Sequence, residues 1–246
     1  MDWTDDAIVL STRKHGETSV IATLLTSAHG RHLGLVRGGI GKRMRGILQP
    51  GNRVKASWRA RLPEHLGTFT CEMTEAYAAR VLHDKMRLAG LSASCAVTEG
   101  SLPEREPHEA VFNGLVALLA AGPDDNWPSA YVKWELGLLG ELGYALDLST
   151  CAATGQNDQL AYVSPKSGRA VSLAAGEPYK KSILKLPEFL LHPGAAGTPE
   201  DVVQGLKLTG FFLERDVFHH AGKGLPAARN RLVERLRPRN SAAPPG

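Results

Sequence analysis

Residues 53–61, Arg53-Val54-Lys55-Ala56-Ser57-Trp58-Arg59-Ala60-Arg61, alternate polar with apolar side chains, the period-two pattern of a strand with one buried face. Side chains two apart on a strand share a face, so Arg53, Lys55, Arg59 and Arg61 line up as a charged rail. A second strand-like run, Arg31-His32-Leu33-Gly34-Leu35-Val36-Arg37, precedes it. Between the two lies a glycine-rich loop, Gly38-Gly39-Ile40-Gly41-Lys42-Arg43-Met44-Arg45-Gly46. From residue 31 to 61 there are nine Lys/Arg (Arg31, Arg37, Lys42, Arg43, Arg45, Arg53, Lys55, Arg59 and Arg61) and no Asp or Glu. Such a rail, continued by a flexible basic loop, can follow a chain of phosphates. Lys and Arg also solubilise exposed ribbons and blunt sheet edges, but solubilising surfaces intersperse both signs and this interval does not.

The formal net charge of +4 conceals a division. Residues 1–80 hold 12 Lys/Arg against 7 Asp/Glu, a net of +5, and residues 81–246 hold 17 against 18, a net of −1. The polyanion signal is therefore regional. An apolar fraction of 43% over 246 residues is enough for a sizeable core in one large or two modest domains. Cys71, Cys95 and Cys151 are odd in number and widely spaced, which argues against a secreted disulfide framework. No apolar stretch approaches the ~20 residues of a membrane span, and Met1-Asp2-Trp3-Thr4-Asp5-Asp6 lacks the positive charge of a signal peptide. The expectation is a cytoplasmic, nucleoid-associated protein with a frayed tail at 239–246.

Turn signals divide residues 1–80 into five strand-like runs, at 7–13, 19–26, 32–36, 52–60 and 68–75. Five short strands with a longer middle connection predict a small closed barrel of the OB type, whose open face commonly binds oligonucleotides; an SH3-like barrel fits the strand count nearly as well. After Tyr77 the period changes to about 3.6, starting with Val81, Leu82, Met86, Leu91 and Cys95. Pro107 precedes a helix carrying Val111, Leu115, Leu118 and Leu119 that stops at Gly122-Pro123, and Pro128 opens another with Tyr131, Trp134, Leu138 and Leu142. Thr198-Pro199-Glu200-Asp201 reads as a cap leading into Val202, Leu206, Leu213 and Val217. The expected class is α+β: a DNA-binding barrel at 1–80, then a helical domain at 81–238. Residues 148–173 within it resemble two reverse turns joined by a hairpin, as in a zinc ribbon. Cys151 is its one cysteine, whereas a structural zinc site takes four Cys or His ligands, so no metal is expected.

Enzyme chemistry finds little purchase. The glycine-rich loop lacks the Gly-Lys-Ser/Thr ending of a Walker loop and a helix to align its amides. Neighbouring His219 and His220 point about 100° apart on a helix and chelate poorly together, and Asp124-Asp125 lies in a loop where charge is ordinary. Trp58 and Phe69 are candidate stacking platforms for bases, with burial in the core the alternative, and Tyr77 is placed at the domain junction. Lys133 beside Trp134 could seat an acidic, hydrophobic peptide, a cation for a carboxylate beside an apolar pocket. The competing class is a non-catalytic adaptor whose basic barrel docks an acidic protein; protein interfaces usually mix charges for register, which an acid-free interval does not.

Together these stretches resemble the RecO family of bacterial recombination mediators over nearly the whole chain. The resemblance rests on Trp3-Thr4-Asp5-Asp6-Ala7-Ile8-Val9-Leu10, Gly16-Glu17-Thr18-Ser19, Leu33-Gly34-Leu35-Val36-Arg37-Gly38-Gly39, Trp134-Glu135-Leu136-Gly137-Leu138-Leu139-Gly140-Glu141-Leu142-Gly143-Tyr144 and the turn-rich segment 148–172. It implies an N-terminal OB-fold binding single- and double-stranded DNA and strand annealing without a nucleotide cofactor. It also implies recombinase loading onto DNA covered by single-strand-binding protein, with that protein's C-terminal tail and RecR as partners. Some members carry four knuckle cysteines, whereas Thr154 and Ser172 stand here near positions where others have Cys.

Overall fold

A computed structural model describes residues 1–122, 126–219 and 222–237. Pro123, Asp124, Asp125, His220 and the 239–246 tail lie outside the described residues. The chain divides into two compact units, residues 1–127 with 224–229, and residues 128–223 with 230–246.

The first unit is built on a closed barrel of strands β1 (Asp2–His15), β2 (Ser19–Thr26), β3 (Gly30–Val36), β4 (Arg53–Arg59) and β5 (Thr68–Glu75), in the order β1-β2-β3-β5-β4. All neighbours are antiparallel except β3 and β5, whose parallel contact at Leu35 and Thr68 closes the barrel. Strand β1 serves two partners: residues 2–8 pair with β4 and residues 7–15 with β2, with a register shift between Val9 and Ser11. Its polar opening, Asp2-Trp3-Thr4-Asp5-Asp6, hides it from a period-two search that starts the strand at residue 7. Asp5 sits there because its carboxylate accepts the Ala28 amide at 2.8 Å and meets His29 Nδ1 at 3.0 Å, both in the β2–β3 turn.

Alternation packs Ala7, Val9, Ala22, Leu24, Val54, Ala56, Trp58, Phe69 and Cys71 inside the barrel. On β1 the opposite set, Ile8 and Leu10, is buried too. Helix α3 (Lys85–Ser101) packs on that strand, its Glu99 accepting a 2.6 Å bond from Ser11 Oγ. Asp84 caps α3 by accepting the Met86 and Arg87 amides. With α2 (Tyr77–Arg80) and α4 (Glu109–Ala120), α3 belongs to the barrel's compact unit. The change of period near residue 80 marks where helices begin, not where that unit ends.

One polar side chain lies within the aromatic end of the barrel. His32 is 4% exposed and neither ring nitrogen has a hydrogen-bond partner among the described residues. Its ring stands edge-on to Trp58 at 4.8 Å and to Trp3 at 5.2 Å. Burial, with the Arg105 guanidinium and the His29 ring nearby, lowers its pKa from 6.5 to about 4. The unfolded chain takes up this proton near pH 6.5 and the folded chain only near pH 4. Stability is therefore intact above pH 6.5, falls as the pH drops through that window and levels off below it. The expected loss between pH 7 and 4.5 is roughly 2–3 kcal/mol. Urea denaturation of wild type and His32→Leu at the two pH values checks it, the variant lacking that share of the acid sensitivity.

The second unit holds α5 (Trp127–Glu141) and α7 (Pro199–Phe212), which continues into a π-helical turn, Leu213–Phe218. Thr198 and Asp201 form the capping box of α7: Thr198 Oγ1 accepts the Asp201 amide and Asp201 the Thr198 amide. Between these helices β6 (Leu160–Val163), β7 (Ala170–Ser172), the short α6 (Leu173–Gly176) and β8 (Leu184–Lys185) make a three-stranded sheet, order β7-β6-β8. Cys151, Tyr162 and Val171 form its small core. Cys151 Sγ accepts the Ser172 amide at 3.2 Å and lies 3.5 Å from Ser172 Oγ. The described residues contain no group of three His, Cys, Asp or Glu able to hold a metal ion.

Candidate nucleic-acid interface

The loop after β3 is not a bare glycine loop. Lys42–Ile47 form a short helix, α1, despite glycines at 41 and 46. Six residues are too few for intrinsic helix stability, so tertiary contacts hold it. Ile47 and Leu48 are buried in the barrel core and Met44 packs on it. Asn52, 2% exposed, donates through Nδ2 to the Gly46 carbonyl at 2.9 Å and the Ile47 carbonyl at 3.3 Å, while its Oδ1 accepts the Ala78 amide at 3.1 Å. One amide side chain thus joins the end of α1 to the start of α2. The inward anchors leave Lys42, Arg43 and Arg45 exposed.

The rail on β4 is shorter than expected, because the strand ends at Arg59 and leaves Arg61 in the following connection, and its electrostatic setting differs. Arg53, Lys55, Ser57 and Arg59 face outward between buried Val54, Ala56 and Trp58. The flanking strands, distant in sequence, bring carboxylates to both sides. Asp6 and Glu72 stand opposite Lys55, Asp2 opposite Arg59, and Glu75 opposite Arg53. Arg53 pairs with Asp6 at 2.9 Å and Arg59 with Asp2 at 3.3 Å. Arg31 is occupied as well: its Nε donates to the Leu102 carbonyl at 2.9 Å and its Nη2 lies 3.7 Å from Glu104. The interval is acid-free in sequence but not in space.

What stays unopposed is one end of the barrel. Arg37, Lys42, Arg43 and Arg45 are exposed there and have no ion pair among the described residues, Arg45 only donating to the Ile40 carbonyl at 3.3 Å; Arg61, exposed and likewise without an ion pair among them, follows the other end of β4. Lys14 of the β1–β2 hairpin joins them, since Lys14 pairs with Val20 and Val20 with Val36, next to Arg37. The Ile40 amide donates to the Thr18 carbonyl at 3.3 Å, tying that hairpin to the loop before α1. Lys14 carried no local signal in the sequence; strand register alone brings it here.

Trp58 and Phe69 are core residues, 3% and 4% exposed, and offer no open face to a base. Trp58 also spends its indole N–H on the Leu66 carbonyl at 3.0 Å. The more accessible ring is Trp3, which stacks on His29 at 4.2 Å. Tyr77 is buried in the first unit at the start of α2. In the second unit, Lys133 Nζ donates to the Ala195 carbonyl at 2.7 Å and the His192 carbonyl at 3.3 Å, and lies 5.8 Å from the Phe189 ring. Trp134 is buried. The pair does not present a free cation beside an open pocket.

The family profile described as Recombination protein O N terminal matches residues 1–77, and that described as Recombination protein O C terminal matches residues 82–225. The chain belongs to the RecO family. A protein of Rhodospirillum centenum named DNA repair protein RecO is 57% identical over 239 residues, covering 96% of this chain and 95% of its own length. A protein of the same name from Rhodospirillum rubrum is 50% identical over 244 residues, with 96% and 97% covered, and one from Methylobacterium nodulans is 50% identical over 239 residues, with 95% and 97% covered. No helix among the described residues is long and apolar enough to cross a membrane.

Proposed function

We propose that this RecO-family protein is a non-catalytic DNA repair and recombination mediator. In this reading an OB-type barrel within residues 1–80 binds single- and double-stranded DNA and promotes annealing of complementary strands. The observation that carries it is the unopposed cationic end of the barrel, with Lys42, Arg43 and Arg45 on a helix anchored inward through Met44 and Ile47, and Arg37 and Lys14 beside it. Two strands repel through their phosphates; neutralising several on each lowers that barrier while base edges stay free to pair. Contacts to phosphates alone give weak sequence preference. The helical residues 81–238 then serve protein contacts: the tail of single-strand-binding protein, RecR, and through them the loading of recombinase, in the cytoplasm at the nucleoid. Seating an acidic tail at Lys133 requires its carboxylate to displace the Ala195 carbonyl from Nζ. The folded knuckle calls for no zinc in this reading, the Cys151 sulfur being held by Ser172.

The test is annealing of two complementary fluorescent oligonucleotides without nucleotide or metal, naked and coated with single-strand-binding protein. Faster pairing of both, suppressed by high salt, is the expected result. Acceleration absent at every salt concentration returns the protein to the adaptor class.

A further inference from the structure

The connection between β4 and β5 (60–67) is exposed from Arg61 to Leu66, the setting in which loops are ordinarily mobile. Here five consecutive backbone carbonyls each accept a hydrogen bond from another part of the same unit. The Arg105 guanidinium takes three of them, Pro63 at 2.5 Å, Glu64 at 3.2 Å and His65 at 3.0 Å. Trp58 Nε1 takes Leu66 and the Leu35 amide takes Gly67, both at 3.0 Å. Gly67 has φ +66, and a Cβ there would lie 2.3 Å from the Trp58 ring nitrogen, so the chain can enter β5 this closely only through glycine.

Arg105 is placed at a cost. It lies in the α3–α4 connection with φ 63, a left-handed conformation that strains a non-glycine residue. Its amide donates to the Arg31 carbonyl at 2.8 Å, while Arg31 Nε returns a bond to Leu102. Glu106 passes so close to Gly30 that a Cβ at 30 would meet its carbonyl at 2.0 Å. The connector is thus pinned to β3, and from it a guanidinium reaches carbonyls rather than a carboxylate. A strained residue held by so many bonds, whose product is one fixed exposed loop, points to a use for that loop's shape.

We propose that Arg105 is a positioning residue for DNA binding: it holds the β4–β5 loop in a preformed shape, so that Arg61 and Leu62 meet a nucleic-acid strand without an ordering cost. The proposal rests on the DNA reading given above and deepens it by adding the loop as a second, preorganised contact element, at the end of β4 and β5 away from Asn52 and α1. Leu62 is 44% exposed and Arg61 has no ion-pair partner among the described residues; Glu64 is the loop's one carboxylate. Since Arg105 spends its donors on carbonyls, it acts on affinity through loop order and not as a phosphate contact.

The variant that isolates the side chain is Arg105→Gly, which keeps the left-handed backbone without strain and removes only the clamp. Arg105→Lys retains the charge but reaches the carbonyls with a single ammonium. Two readouts are needed: the rate of tryptic cleavage after Arg61, and the affinity for a fluorescein-labelled oligothymidine across a salt series. The glycine variant is expected to be cut at least about tenfold faster and to bind roughly 5- to 10-fold more weakly with an unchanged logarithmic salt slope, the lysine variant recovering part of both. Faster cleavage with unchanged affinity makes the clamp purely structural and overturns the proposal, as does an unchanged cleavage rate. A slope reduced by about one overturns it in the other direction, by making Arg105 itself a phosphate contact. Wild-type protein that binds no oligonucleotide even at low salt overturns the DNA reading, and the proposal falls with it.

Discussion

Alanine at Lys42, Arg43 and Arg45 together is expected to flatten the logarithmic salt dependence of DNA binding by about 2 to 3, the loss of three phosphate contacts. At 0.1 M salt that difference corresponds to roughly 10²- to 10³-fold weaker binding. The three side chains are exposed and the helix bearing them is anchored through Met44, Ile47 and Leu48, which the substitution leaves in place. Folding should be untouched, and alanine is the better helix former. Lys55→Ala, an equally conservative change in the same interval, is expected to move the slope by less than about 0.5, because Lys55 sits across from Asp6 on one side and Glu72 on the other. Fluorescence anisotropy with one labelled oligonucleotide at four salt concentrations compares both variants. Equal slopes for the two would return the site to the β4 rail.

Asn52→Ala carries the largest expected effect on stability. Its amide serves two carbonyls at the end of α1 and one N–H at the start of α2, and the side chain is sealed from water. Truncation strands these groups and leaves a void beside Ile47. The expected cost is about 2–4 kcal/mol, a large share of an ordinary domain's stability. A lower urea midpoint with an unchanged m-value would show it. DNA binding should weaken as well, even where the protein is folded, because α1 no longer has a fixed place from which to present its cations. A variant as stable as wild type would mean that water replaces the amide in both roles.

The parts of this molecule legible in the sequence are those specified locally. Strands β2 and β5 coincide with their strand-like runs between turn signals, and α7 starts at its Thr198 cap, because pattern and capping are properties of adjacent residues. The opening of β1 was hidden by its aspartates, whose partners are the turn amide at Ala28 and the rings and guanidinia of other strands. Helix α1 is too short, and carries Gly46, to stand on propensity, and exists through Asn52 and the barrel core. The candidate site followed the same division. The density of cations between 31 and 61 was plain, whereas the acids that neutralise part of it come from β1 and β5 by register, and no linear reading places Asp2 beside Arg59. Arg105 and Asn52 were missed for a related reason: each matters through bonds to backbone atoms tens of residues away, which leave no mark on composition or period.

The ion-pair ladder along the outer face of β4 also bears on how such a surface can change over generations. Arg59 and Asp2 are 80% and 67% exposed, so their attraction contributes little to folding and a swapped pair, acid on β4 and base on β1, leaves the barrel nearly as stable. Loss of one partner alone shifts the charge balance of the β1–β4 face by a full unit. Exchanging the two signs together leaves that balance unchanged. Arg37, Lys42, Arg43 and Arg45 have no such acidic counterpart among the described residues, so a replacement there leaves no carboxylate unpaired.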